Sequence, residues 1–142
     1  MKPRSLLAAL AAGTLLLLGT ARAAALDGFV VVAHPGANTA NVDLAALKDM
    51  FTGKKLYWDG GQAVTLVLLA DRADDAIKEL SGMNGAQLRT HWQRLAFSGR
   101  GQAPKRADSP AALVTTVAAT AGAVGIVPAD TDLTGVKKID LK

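Results

Sequence analysis

Phe29-Val30-Val31-Val32-Ala33, closed by His34-Pro35-Gly36, decides the fold class. Five apolar residues in succession show no alternation of wet and dry positions. A strand with one face in water alternates; an unbroken run of this length belongs to a strand covered on both faces. Two further runs of the same kind follow, Val-Thr-Leu-Val-Leu-Leu over 64–69 and Ala-Val-Gly-Ile-Val over 123–127. A weaker one over 136–141 is expected as an edge strand.

Between these runs the apolar period changes to that of helices. Asp43 is placed to cap a helix carrying Leu44, Leu47, Met50 and Phe51 on one side, and Gly53 stands where a left-handed C-terminal cap belongs. Tyr57-Trp58-Asp59-Gly60-Gly61 reads as a turn. Residues 71–81 predict a helix whose acids sit in the first turn, where the helix dipole favours them. A helix over about 86–97 places Leu88, Trp92 and Leu95 at i, i+4 and i+7. Residues 98–108 read as a polar loop. Ser109-Pro110 then starts a helix with a hydroxyl at the N-cap and proline at N1, carrying Leu113, Val114, Val117 and Ala118, and Gly122 ends it. Strands alternating with amphipathic helices predict an α/β fold, a sheet covered by helices on both sides in three layers. Ligands in such sheets sit beyond the carboxyl ends of strands, here residues 34–38, 70–75 and 128–132.

The chain has 142 residues, within the size of one domain, and no cysteine. Disulfides, thiolate nucleophiles, iron–sulfur clusters, Cys-based zinc sites and a lipid-anchored export signal are thereby excluded. The net charge of +4 suggests a basic protein, but its origin is local. Lys2 and Arg4, the apolar run 6–18 and Ala21-Arg22-Ala23 have the layout of a secretory signal peptide cleaved after residue 23. The run is too short for a bilayer core, which takes about 20 residues. Residues 24–142 are then the periplasmic domain, with no stable membrane insertion after cleavage. Removing residues 1–23 takes away Lys2, Arg4 and Arg22 and no acid, leaving 13 basic against 12 acidic residues. So nearly neutral a domain has no general field toward phosphate backbones, and one Tyr and two Trp make no stacking ladder. No nucleic-acid partner is expected.

Catalytic patterns are missing. His34 and His91 are far apart and carry no HExxH-type spacing, so no metal is expected; His34 suits a His-Pro turn and His91 the boundary of a helix. No serine sits in a GxSxG elbow and no GxxxxGK[ST] loop is present. Asp71, Asp74 and Asp75 suffice for a carboxylate pair, but biasing a helix N-terminus accounts for them without further assumption. No catalytic residue, cofactor or enzyme activity is expected. Anion chemistry is suggested by Ser98-Gly99-Arg100-Gly101, where glycines let backbone N–H groups form a nest and Arg100 can clamp an oxyanion.

Several of these pieces occur in a familiar order. Phe29-Val30-Val31-Val32 with Pro35-Gly36, then Leu44-Ala45-Ala46-Leu47, Phe51-Thr52-Gly53-Lys54 and Trp58-Asp59, then Ala123-Val124-Gly125-Ile126-Val127, resemble the phosphate-binding proteins of ABC transporters. Trp92 with Phe97-Ser98-Gly99-Arg100-Gly101-Gln102 and Pro104 resembles a short, single-lobe branch of that family. The resemblance implies one lobe, the second, of a type II periplasmic-binding-protein-like clamshell, and a role in binding or transport of a small phosphate-like oxyanion. Where the family places an Arg and a Asp-Gly-Ser-Gly-Thr segment, this chain has Leu69-Ala70-Asp71-Arg72-Ala73-Asp74-Asp75. The hydroxyl donors are replaced by carboxylates that repel a dianion, and Arg72 is the cation that remains. The expected oxyanion contacts are Arg72, Ser98, Gly99, Arg100 and Gly101, with His34 and Asn38 as outer candidates. The alternative is a ligand-free module whose open lobe face docks an envelope protein (a transporter, porin or membrane sensor) or a second copy of itself.

Overall fold

The computed structural model describes residues 26, 28–70 and 74–142. The expected leader, Asp71 and Arg72 lie outside them. Ten elements follow in order: β1 (Phe29–Ala33), β2 (Asn41–Val42), α1 (Leu44–Thr52), β3 (Thr65–Leu69), α2 (Asp74–Ser81), α3 (Gly85–Phe97), β4 (Lys105–Ala107), α4 (Pro110–Ala119), β5 (Ala123–Pro128) and β6 (Lys137–Leu141). The strands form one mixed sheet in the order β2-β6-β1-β5-β3-β4.

β5 lies in the middle and is buried over Ala123, Val124, Gly125, Ile126 and Val127, as an unalternating run requires. One face of it meets α4: a Cβ on Gly125 would stand 2.8 Å from Leu113 Cδ2. Val32, paired with Gly125, and Val67 share that face and are fully buried. The opposite face carries Val31, Leu66, Val124 and Ile126, also buried, in the same core as Leu47, Met50 and Phe51 of α1, Ile77 of α2 and Leu88 of α3. Helices α1, α2 and α3 pack on one another there. The three-layer α/β architecture is as the apolar runs require.

Two strand expectations are corrected. β6 is interior, between β1 and β2, because two residues of the 37–43 stretch add to its outer side; Asn41 pairs with Asp140 and Val42 with Leu141. The edges are β2 and β4. The segment 98–108 is loop only as far as residue 104, since Lys105, Arg106 and Ala107 pair with β3 in parallel. Local signals fare better at helix ends. Gly53 caps α1 through a left-handed backbone, and Ser109 Oγ accepts from the Ala112 N–H at 3.1 Å at the start of α4. Asp43 stands at the N-cap of α1 but makes no side-chain cap bond. Among the described residues no helix is long and apolar enough to cross a membrane.

Candidate functional site

Strand direction sorts the candidate residues. β3 runs parallel to β4 and β5, so Ala70, Ala107 and Pro128 arrive at one end of the sheet. β1 runs antiparallel to β5, with Ala33 opposite Val124. His34 therefore emerges at the other end, where its N–H donates to the Ala123 carbonyl at 3.1 Å. Of the three strand ends named as ligand positions, those at Ala70 and Pro128 share one end of the sheet and that at His34 lies at the other, because the direction of β1 is reversed.

At the shared end, the Ala70 N–H donates to the Ala107 carbonyl at 2.9 Å, which brings the exit of β3 beside the start of α4. Of the first three positions of α4, Pro110 has no N–H and the Ala112 N–H is held by Ser109, which leaves that of Ala111. α2 begins at Asp74, on the carboxyl side of β3. The start of α4 is thus at this end of the sheet and α2 starts four residues after Ala70, each the positive pole of its helix.

In the loop of Ser98, Gly99, Arg100 and Gly101, the first three backbone donors are engaged at the end of α3. The Ser98 N–H donates to the Arg94 carbonyl at 3.1 Å, the Gly99 N–H to Ala96 at 3.1 Å and the Arg100 N–H to Leu95 at 2.9 Å. Ser98 Oγ also donates to the Leu95 carbonyl at 2.9 Å. These donors close the last turn of α3, and the pole they close is the negative one. Gly101 lies against the indole of Trp92: a Cβ there would be 3.2 Å from Trp92 Cζ3. Gly53 borders the same ring, where a Cβ would be 3.3 Å from Cη2, and Trp92 Nε1 donates to the Phe51 carbonyl at 3.0 Å. The glycines here thus serve a helix end and a tryptophan slot, while the Arg100 side chain is left over.

His34 is also occupied locally: its Nδ1 accepts from the Gly36 N–H at 3.0 Å, so that nitrogen is unprotonated. His91 lies on α3, where Nε2 donates to the Thr52 carbonyl at 2.7 Å and ties α3 to the end of α1. A carbonyl only accepts, which places the proton on Nε2. Asn38 borders a cavity of about 310 Å³ with Thr39, Lys55, Trp58, Gln62 and Lys142. Lys55, Lys142 and Gln62 are polar groups at this cavity that sequence reasoning missed, because nothing local relates 55–62 to residue 142. Lys55 Nζ is 2.8 Å from Asp59 Oδ1. The Lys55 hydrogen bond and charge hold the Asp59 carboxyl below its ordinary value, and Lys142 adds to this. With Asp43 also lining it, this cavity is balanced between two cations and two carboxylates.

No protein-family model matches the chain, and no curated protein matches it. Solved structures match in fold. A Clostridium perfringens protein described as a phosphate ABC transporter substrate-binding protein, with phosphate bound, superimposes with a TM-score of 0.62 at 18% identity, over 80% of this chain and 44% of its own. An ABC-type phosphate transport receptor of Vibrio cholerae gives 0.56 at 17% identity, over 80% and 46%. PstS of Borrelia burgdorferi gives 0.61 at 10% identity, over 81% and 47%. The chain therefore has the fold of one lobe of phosphate-binding proteins and spans less than half the length of those it matches.

Proposed function

We propose that this chain is a non-catalytic, periplasmic binding module of the phosphate-transport type, exported through a leader ending at Ala23, that holds a small phosphate-like oxyanion. The fold it shares with one lobe of phosphate-binding structures, one of them containing phosphate, carries the reading. Elimination supports the location. The backbone donors of residues 98–100 are bonded to α3, His34 Nδ1 is bonded to Gly36, and the cavity at Asn38 is charge-balanced. The connection from β3 to α2 remains, with Arg72 as its cation.

Such a site is weak for two reasons. One lobe offers about half the contacts of a closed clamshell, and Asp74 and Asp75 oppose a dianion. A dissociation constant near 1 mM, about −4 kcal/mol, is the expected scale. Titration calorimetry of residues 24–142 with phosphate and sulfate tests it. Saturable heat is expected, lost in Arg72→Gln and kept in Arg100→Gln; no heat at millimolar ligand removes the oxyanion reading.

A second reading follows from the chain's coverage of less than half of its structural neighbours. The resemblance to a two-lobed clamshell implies a lobe face that meets protein, and Phe97, 93% exposed, adds an uncovered aromatic at the end of α3. On this reading the face docks an envelope protein or a second copy. Size-exclusion with light scattering separates the two: a strict monomer that responds to phosphate supports binding, and a stable dimer indifferent to phosphate supports docking.

A further inference from the structure

A groove of about 600 Å³ opens between α3 and the β3–β4 edge of the sheet. Its size falls within the range of small-molecule pockets, about 300–1,000 Å³. Half-buried Leu68 and the buried side chains of Ile77, Leu88 and Trp92 form its apolar floor. Arg89 stands on the α3 wall and Arg106 on the β4 wall, both exposed. Among the described residues no Asp or Glu lines the groove, and neither arginine is within ion-pair distance of a carboxylate.

Two guanidinium groups over an apolar floor are complementary to a molecule that is anionic at one end and apolar along its body. An arginine fork matches the two oxygens of a carboxylate, and the floor removes hydrocarbon from water. Inorganic phosphate gains nothing from the floor and loses hydration there. An added peptide strand is poorly served, since β4 offers an edge of only three residues. We propose that this groove binds a small apolar carboxylate, with Arg89 and Arg106 holding the headgroup and Leu68 beneath the tail. This ligand and place differ from the oxyanion reading; of the residues argued for that site, the groove borders only Ala70.

Sodium octanoate is the probe, followed by amide chemical shifts and by tryptophan fluorescence, because Trp92 borders the groove. Saturable shifts are expected at Leu88, Arg89 and Arg106, with octanol binding at least tenfold more weakly. Arg89→Gln and Arg106→Gln each weaken octanoate about tenfold, the scale of one charge-assisted hydrogen bond at a half-open site. Ala103→Trp, a substitution at an exposed lining residue, fills the groove and abolishes binding without lowering the urea midpoint. Inorganic phosphate leaves the octanoate shifts in place. Octanol binding as tightly as octanoate, indifference to both arginine variants, displacement by phosphate, or no saturable shift each overturns the proposal.

Discussion

Gly122→Ala tests the packing at the start of β5 with a single added methyl group. Gly122 has φ +77°, and a Cβ there falls inside the van der Waals envelope of the Ala63 carbonyl oxygen, a backbone atom with no rotamer to change. Its own carbonyl accepts from the Thr65 N–H at 3.1 Å and from Trp58 Nε1–H at 3.0 Å. Holding alanine left-handed costs about 1–2 kcal/mol. Moving Gly122 from Ala63 disturbs both hydrogen bonds, each about 1 kcal/mol. The sum, about 3–4 kcal/mol, is a large part of a stability of about 5–15 kcal/mol. Gly61→Ala is the matched control: φ is +89°, yet no atom lies within 4 Å of its Cβ position, so only the conformational cost applies. Urea unfolding of both variants reads the difference. The difference of about 2 kcal/mol, at a slope of about 1–3 kcal/mol/M, costs the Gly122 variant about 0.7–2 M more in midpoint than the Gly61 variant. Equal midpoints would refute the crowding at Ala63 and with it the described approach of residue 122 to β3.

Other expectations concern single contacts. Asn84 and Gln87 form a reciprocal capping box at α3, with bonds of 2.9 and 3.0 Å, whereas Asp43 makes no cap bond at α1. Asn84→Ala should therefore lower stability by about 1 kcal/mol and Asp43→Ala by a few tenths, read from urea midpoints. His91→Ala removes the bond to Thr52 and leaves that carbonyl less satisfied, a loss of about 1–2 kcal/mol; midpoints equal to wild type would show the α1–α3 tie to be idle. The hydroxyl and N–H of Thr134 hold the Asp132 carboxyl below its ordinary value of 3.8. A depressed folded value means this contribution is present above 3.8 and disappears as pH falls through the lower value. Asp132→Ala should lose less of its urea midpoint on acidification than wild type does, and an equal or larger acid-side loss would contradict the Thr134 contact.

The covered strands were legible because β5 and β3 are buried on two faces, and burial on both sides leaves an unbroken apolar run. The Ser109-Pro110 start of α4 was legible because cap chemistry is local. The capping box of α3 was present as Asn84 and Gln87, three apart, although the expected helix start lay one residue after the observed start at Gly85. β4 carried no signal: Lys105-Arg106-Ala107 is short and polar, and its pairing with β3 is a long-range event. The direction of β1 was likewise invisible, since an apolar run is the same read either way, and this separated His34 from Ala70. The loop at 98–101 reads two ways for a physical reason. The glycines that let N–H groups converge on an anion also let them converge on the final carbonyls of a helix, and only the position of α3 decides between them.

Amide chemical shifts of residues 24–142 during titration with inorganic phosphate would show where a lone lobe meets its ligand. Shifts that saturate at Ala70, Asp74, Asp75 and Ala111, with Ser98, Gly99, Arg100 and Gly101 unmoved, are the predicted result. Saturable shifts confined to Ser98, Gly99, Arg100 and Gly101, or a spectrum unchanged at tens of millimolar phosphate, would contradict it.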